Sequence, residues 1–210
     1  KEIGFEFEVV DAIDGASRQD VLKEFQHYQE KPLGGNDAHA LEVSYKKKMI
    51  DSVGAWAYLK TYELILEESI SNGYDKILCF DDDVIFDKYF NEKLIENEYL
   101  IKEDWKLFYL GATQHQWKLP NAIKYSDNQI TEFDNTQSFY HPLFTDGSFA
   151  VGIDSSVFKL LLTEVKKYNC SFDSGPMRRI MQLYQDDCMV LQPNIVIADV
   201  SESDIRGDRN

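Results

Sequence analysis

Three consecutive aspartates, Asp81, Asp82 and Asp83, follow the apolar run Ile-Leu-Cys-Phe at residues 77–80. The apolar run has the length and character of a strand that is buried on both faces. Crowded carboxylates at the rim of a core repel one another and lose hydration, which is costly unless a cation neutralises them. Asp81 and Asp83 can turn toward one divalent ion, Mn²⁺ or Mg²⁺, which leaves Asp82 to a backbone or substrate hydrogen bond. A solvated acidic turn is the alternative interpretation.

Length and charge limit the classes of protein that fit this chain. Its 210 residues, 43% hydrophobic and 13% aromatic, predict one domain with a core large enough to hold a pocket. The excess of 37 acidic over 22 basic residues leaves a net charge of −15, which argues against nucleic acid or an anionic membrane as the main partner. No apolar run approaches the roughly 20 residues of a membrane span. Three cysteines without ligand spacing do not predict a disulfide framework, although one pair could form.

The beginning of the chain predicts a strand and a turn. Residues 5–10 alternate apolar and acidic side chains, and Asp11 and Asp14 follow in a turn that ends at Gly15. Because the chain starts with Lys1 and enters this run almost at once, we expect a single domain over residues 1–210 that was cut from a longer chain and could lack a first element.

The segment before the aspartates predicts a long helix packed on a sheet. Apolar residues recur at helical spacing between residues 55 and 70, Ser52 can cap the start, and Gly73 can end the helix in the left-handed conformation. A short link then leads into the strand at residue 77, as an α/β unit requires. The alternation continues with a helix at residues 88–101, a strand at 105–110, and a turn with an apolar strand at 144–153. Asp154 or Ser155 then caps a helix that runs to Tyr168.

Two further regions could contribute to a site. Residues 114–117 predict a loop in which Trp117 either stacks on a sugar ring or anchors the loop to the core. Residues 121–137 predict a mobile flap. Asp173 lies just before Pro176, which marks the first turn of a helix, so its simplest role is to cap that helix.

Six short motifs in this order resemble those of glycosyltransferase family 25, which includes lipooligosaccharide and procollagen galactosyltransferases. The matching segments cover nearly the whole chain and lie at residues 7–15, 52–54, 80–84, 105–111, 171–173 and 201–206. Phe-Asp-Asp-Asp-Val at residues 80–84, for example, is similar to the family's Leu-Glu-Asp-Asp-Val. The family's Ser-His pair is replaced by Tyr58 and Leu59, and its first strand, first helix and basic stretch have no counterpart here.

The resemblance implies a glycosyltransferase A-type, Rossmann-like α/β domain with a mixed, mostly parallel central sheet flanked by helices. It also implies a metal-dependent, inverting transfer of a hexose, galactose or glucose. The donor would be a UDP-sugar, and the acceptor would be a hydroxyl of a glycan or of a collagen-like protein.

The same resemblance implies roles for individual residues. Asp81 and Asp83 would bind Mn²⁺ or Mg²⁺, and Asp173 would take the proton of the acceptor hydroxyl. Asp11, Asp14 and Asp82 would bind the nucleotide sugar. Trp117 and His141 would contact the acceptor.

Two other classes of protein remain as alternatives. An apolar strand followed by Asp-x-Asp-x-Val also opens haloacid-dehalogenase-type phosphatases, in which the first aspartate, here Asp81, is the nucleophile. The chain could instead be a non-catalytic relative that keeps the fold as a binding or scaffolding module. The sequence does not indicate which sugar or acceptor is used, the oligomeric state, or whether the compartment is the cytosol or the secretory lumen.

Overall fold

Helices and strands alternate through most of the chain. A computed structural model describes residues 7–33, 42–43, 45–101, 103–118, 125–126, 129–130 and 138–199. The helices are α1 Gln19–Glu30, α2 Val53–Asn72, α3 Phe90–Glu96, α4 Glu98–Ile101, α5 Ser155–Val165 and α6 Arg178–Leu183. The strands are β1 Lys76–Phe80, β2 Val84–Phe86, β3 Leu107–Tyr109, β4 Thr113–Lys118, β5 Tyr125–Ser126, β6 Gln129–Ile130, β7 Phe139–Asp146, β8 Ala150–Asp154, β9 Cys188–Leu191 and β10 Val196–Ala198.

Six strands form a central sheet in the order β1-β8-β3-β9-β7-β4. The fold is therefore α/β with a mixed sheet, as predicted. The expectation that the sheet is mostly parallel is wrong, because among the described strand pairs only β3 and β9 run in the same direction. Strands β7 and β8 run against their neighbours and follow one another after a short turn. Alternation of strands with helices predicts parallel pairing only where a helix makes the crossover, and no helix separates these two strands.

Helix α2 is the element that the sequence predicts best. The side chain of Ser52 accepts a hydrogen bond from Ala55 N at 3.0 Å, and Gly73 ends the helix with φ 69°, where a side chain would be strained. Leu59 and Leu66 are fully buried on the predicted apolar face. The helix contacts α1 and α5 and packs on the sheet.

The sheet is covered on both faces. Leu107 and Tyr109 of β3 point into a core shared with α1, α2, α5 and α6, whereas Phe108 points into a second core with α3 and α4. This alternation follows from the two-residue period of a strand. The second core also includes Val196 of β10, which pairs with β2 in a two-stranded ribbon.

Strand β1 is not buried on both faces, contrary to the sequence expectation. It lies at the edge of the sheet, paired with β8, and 45% of Leu78 is exposed. A run of apolar residues cannot distinguish an edge strand from a central one, because the number of neighbouring strands is set by distant parts of the chain. The expected strand at residues 5–10 is also wrong where it can be assessed, since residues 7–10 have no regular structure.

Two local predictions also need correction. The helix expected over residues 88–101 is two helices, which are separated at Asn97, whose side chain donates to Lys93 O at 2.8 Å. Residues 114–117, expected as a loop, lie in β4, which pairs with β7 through its backbone. The flap at residues 121–137 lies outside the described residues apart from β5 and β6, and so does the whole tail from residue 201.

The cysteines and the helices fit the remaining expectations. Cys79, Cys170 and Cys188 are all free thiols, so the one pair that the sequence left open does not form. Within the described part of the chain, no helix combines the length and the apolarity needed to cross a membrane.

Candidate active site

Strand β1 brings Asp81 to the rim of the core. Asp81 N donates to Phe149 O at 2.9 Å, which extends the pairing of β1 with β8 by one residue and fixes the backbone. The carboxylate turns toward α2, where the hydroxyl of Tyr58 lies 3.0 Å and 3.2 Å from its two oxygens. Asp81 is thus half-buried with a single neutral hydroxyl as its hydrogen-bond donor among the described side chains.

Burial and like charges act together on these carboxyl groups. Burial raises the pKa of Asp81, the hydrogen bond from Tyr58 lowers it, and the charges of Asp83, Asp82 and Asp173 raise it, which together bring it to about 6. The pKa of Asp83 is also raised, first by burial and then by Asp82. The ionised state of this site is therefore costly without a positive charge.

Asp83 immediately precedes β2 and the ribbon that this strand forms with β10. Asp199 N donates to Asp83 O at 2.8 Å, just beyond the last ribbon pair. The ribbon crosses close to the end of β3, where a Cβ atom on Gly111 would lie 1.9 Å from Val196 O. Glycine is therefore required at residue 111 for the ribbon to reach the sheet.

Asp173 reaches the site from a distant part of the sequence. It begins a π-helical turn, Asp173–Met177, that leads into α6. Its Oδ2 accepts from Gly147 N at 3.2 Å and its Oδ1 from Ser174 N at 2.9 Å, so it does not cap α6. Its charge contributes to the raised pKa of Asp81, which means that the fold brings the predicted base and a predicted metal ligand into the same region.

Tyr109, at the end of β3, adds a buried donor that sequence analysis did not identify. Its hydroxyl is buried and has no hydrogen-bond partner among the described residues. Burial raises its pKa well above the ordinary value, and the charges of Asp173 and Asp146 contribute. An unpaired buried hydroxyl is costly, so this donor near two carboxylates fits a site that accepts a ligand oxygen.

Comparison with known proteins identifies no family for this chain. No family model matches the sequence, and no curated protein matches it either. The chemistry of the site itself must therefore indicate the function.

The other predicted site residues lie in the segment before α1 and on strands β4 and β7. Asp14 Oδ1 accepts from Ala16 N at 2.8 Å and from Ser17 N at 3.2 Å, which makes Asp14 the start of the turn before α1. Asp11 is exposed in the segment before that turn. The two acceptor candidates lie on the paired strands β4 and β7. Nδ1 of His141 in β7 lies 2.9 Å from Cys188 O, and Trp117 in β4 is opposite Pro142.

Asp81 and Asp83 are suited to a hard divalent ion. Carboxylate oxygens are the ligands that Mn²⁺ and Mg²⁺ prefer, and Mg²⁺ is commonly held by one or two carboxylates together with substrate phosphates. Among the described residues, no group of three or more histidine, cysteine or acidic side chains is arranged to hold a metal by itself. The donor set therefore fits an ion that is shared with a bound diphosphate.

Sequence analysis missed Tyr58 and Ser148 as parts of the site. Tyr58 flanks the apolar stripe of α2, and its hydroxyl lies 2.8 Å from Ser148 Oγ as well as beside Asp81. One signal was available, because Tyr58 stands where the resembling family has its Ser-His pair. Ser148 had no local signal, since its contact with Tyr58 spans 90 residues.

Proposed function

We propose that this protein is a metal-dependent, inverting glycosyltransferase with a glycosyltransferase A-type fold. It transfers a hexose, galactose or glucose, from a UDP-sugar to a hydroxyl of a glycan or collagen-like acceptor. The observation that supports this best is the placement of Asp81, which lies half-buried at the end of β1, two residues before Asp83, with the hydroxyl of Tyr58 3.0 Å from its carboxylate and with Asp173 close enough to act on its charge. Carboxylates that are strongly perturbed by burial and by one another are typical of functional sites.

The two sets of carboxylates would perform different tasks. Asp81 and Asp83 would bind the divalent ion together with the diphosphate of the donor, and Asp82, which is exposed, would contact the donor sugar. The ion, when bound, supplies positive charge for the diphosphate that leaves. The positive charge of the ion explains how acidic side chains can bind a negatively charged donor.

Asp173 is suited to the proton transfer. Each of its oxygens accepts one backbone N–H, from Gly147 or Ser174, which holds the carboxylate in place and leaves lone pairs free. The acceptor oxygen would form a bond to the anomeric carbon as the bond from that carbon to the diphosphate oxygen breaks. The electron pair leaves with the diphosphate, and the acceptor proton passes to Asp173.

Ligand-induced stabilisation tests the donor assignment. UDP-galactose or UDP-glucose with Mn²⁺ should raise the melting temperature of the chain, because a ligand that binds only the folded state stabilises it by about 2.7 kcal/mol at a hundred times its Kd. Asp81→Asn should remove the shift. The absence of any shift with uridine or cytidine nucleotides would contradict the donor assignment.

Turnover separates the proposed reaction from the alternatives. Transfer should be measured as UDP release that depends on Mn²⁺ and on an added acceptor. Release of inorganic phosphate from small phosphomonoesters would favour the phosphatase, with Asp81 as nucleophile. Nucleotide binding without UDP release, over a panel of glycan and hydroxylysine acceptors, would favour a binding module.

A further inference from the structure

The turn at residues 146–148, between β7 and β8, forms hydrogen bonds with Asp173 and with Tyr58, the residue that contacts Asp81. Its glycine N–H donates to Asp173 Oδ2 at 3.2 Å. The hydroxyl of Ser148 lies 2.8 Å from that of Tyr58, which in turn contacts Asp81. Two adjacent residues, Gly147 and Ser148, therefore connect the predicted metal ligand with the predicted base.

The chemistry of the groups fixes the direction of these hydrogen bonds. An ionised carboxylate can only accept, so the single hydroxyl proton of Tyr58 is donated to Asp81 at 3.0 Å. Having donated its proton, Tyr58 can only accept from Ser148 Oγ. The order of donation is thus Ser148 to Tyr58 to Asp81, and Ser148 orients the group that orients the carboxylate.

The ring of Tyr58 is held on two sides. Its centroid lies 5.0 Å from that of Tyr62 and 5.8 Å from that of Phe172, and those two rings stack on each other at 3.8 Å. Phe172 is buried and directly precedes Asp173. The aromatic cluster therefore fixes the position of Tyr58 relative to the π-helical turn that carries the predicted base.

Gly147 is required for the other half of this arrangement. It has φ 92°, a conformation that side chains rarely adopt, and a Cβ atom there would lie 2.6 Å from the ring of Phe149. The conformation directs the N–H of Gly147 toward Asp173 while the next residue faces Tyr58. Another residue at this position would displace one contact or the other.

We propose that Tyr58 and Ser148 are positioning residues that orient Asp81 for the metal, and that Gly147 holds Asp173 through the same turn. This deepens the proposed function and rests on it for the identity of the ion. The turn sets the geometry between the ion-binding carboxylate and the base. Hydrogen-bonded supports of this kind tune metal affinity, and their removal typically weakens it 10- to 100-fold.

The test uses Mn²⁺ in the presence of saturating UDP as the probe, because the proposed ion is shared with a diphosphate, and affinity is measured by electron paramagnetic resonance of free Mn²⁺. Tyr58→Phe keeps the ring and removes only the hydroxyl, and it should weaken Mn²⁺ binding about 10- to 100-fold. Ser148→Ala should weaken it less, because it acts through Tyr58. Tyr28→Phe is the matched control, since it also loses a buried hydroxyl that bonds to a carboxylate, Glu42, at 3.3 Å. It should lower the melting temperature and leave Mn²⁺ affinity unchanged.

A second readout does not need the metal. In the metal-free protein, the hydroxyl proton of Tyr58 should exchange slowly with solvent by NMR, and Ser148→Ala should accelerate this exchange. If the parent chain does not bind Mn²⁺ in the presence of UDP but shows this slow exchange, the metal-dependent function fails while the orientation of Asp81 stands. Parent-like Mn²⁺ affinity in Tyr58→Phe, or rapid hydroxyl exchange in the parent, would overturn the positioning roles.

Discussion

The turn at Asp14 and the turn at Asp81 are both built around aspartate, but they treat the carboxylate in opposite ways. Asp14 is exposed, and hydrogen bonds from Ser17 and then Ala16 lower the pKa of its carboxyl group. Asp81 is half-buried beside Asp83, and burial raises its pKa to about 6. The same residue type is stabilised as an anion in the first turn and destabilised as an anion in the second.

This difference indicates which turn has a structural role and which is suited to bind a ligand. A carboxylate that accepts backbone N–H groups contributes to the fold as it stands. A carboxylate crowded by others reduces stability in its charged form and regains it when a cation binds. The comparison therefore predicts that substitutions in the two turns will change stability in opposite directions.

The largest effect should follow substitution of the second turn. Asp81→Asn or Asp83→Asn should abolish Mn²⁺-dependent nucleotide binding and UDP release together. Without metal, the free energy of unfolding at pH 7 should stay unchanged or rise, by up to about 2 kcal/mol for Asp81→Asn, because repulsion and burial of a charge are relieved. Calorimetric titration and denaturant unfolding measure the two effects. Loss of stability in Asp81→Asn would contradict the comparison.

Asp173 should separate catalysis from binding. Asp173→Asn keeps the shape of the side chain and its acceptor oxygen but removes the base, so transfer should fall by ~10²-fold or more. The affinity for the donor should be unchanged. Transfer at the parent rate in Asp173→Asn would show that the base is elsewhere, with Asp146, Asp186, Asp187 and Asp204 the next residues to test.

The pH dependence of stability should distinguish the turns without any ligand. Because the pKa of Asp81 is raised to about 6 in the folded state, the folded protein keeps a proton that the unfolded chain loses near pH 4. The stabilisation from this retained proton is complete below pH 4 and is lost as the pH rises to 6. It amounts to about 2 kcal/mol once solvent screening is allowed for. The difference in unfolding free energy between parent and Asp81→Asn, measured from pH 4 to 7, should show this loss. A constant difference would mean that Asp81 is ionised throughout.

The smallest effect should come from the first turn. Asp14→Ala removes the acceptor for two backbone N–H groups and should lower the melting temperature by roughly 2 °C. Asp14→Asn keeps an acceptor oxygen and should lower it less. Because the pKa of Asp14 is lowered, its contribution is present above pH 4 and is lost in acid, which is opposite to Asp81. Loss of nucleotide binding in Asp14→Ala would instead support the donor role expected from sequence.

Local signals in the sequence predict the elements that local interactions determine. The caps of α2 at Ser52 and Gly73 and the start of α5 at Asp154 are confirmed, because each depends on residues within one helical turn. Strand direction and the edge position of β1 depend on partners far along the chain. The site divides in the same way, since the aspartate triplet is visible in the sequence and the contact of Tyr58 with Ser148 is not.

The close approach at Gly111 has a consequence for the order of folding. The ribbon pairs β2 at residues 84–86 with β10 at residues 196–198, which lie far apart in the sequence, and it lies against the completed end of β3. Closing such a long loop is entropically unfavourable until the sheet exists to hold its ends together. Asp83, which lies at the base of this ribbon, should therefore reach its final position late. The aspartate triplet would then be assembled in two stages, with Asp81 set by the sheet and Asp83 added when the chain closes.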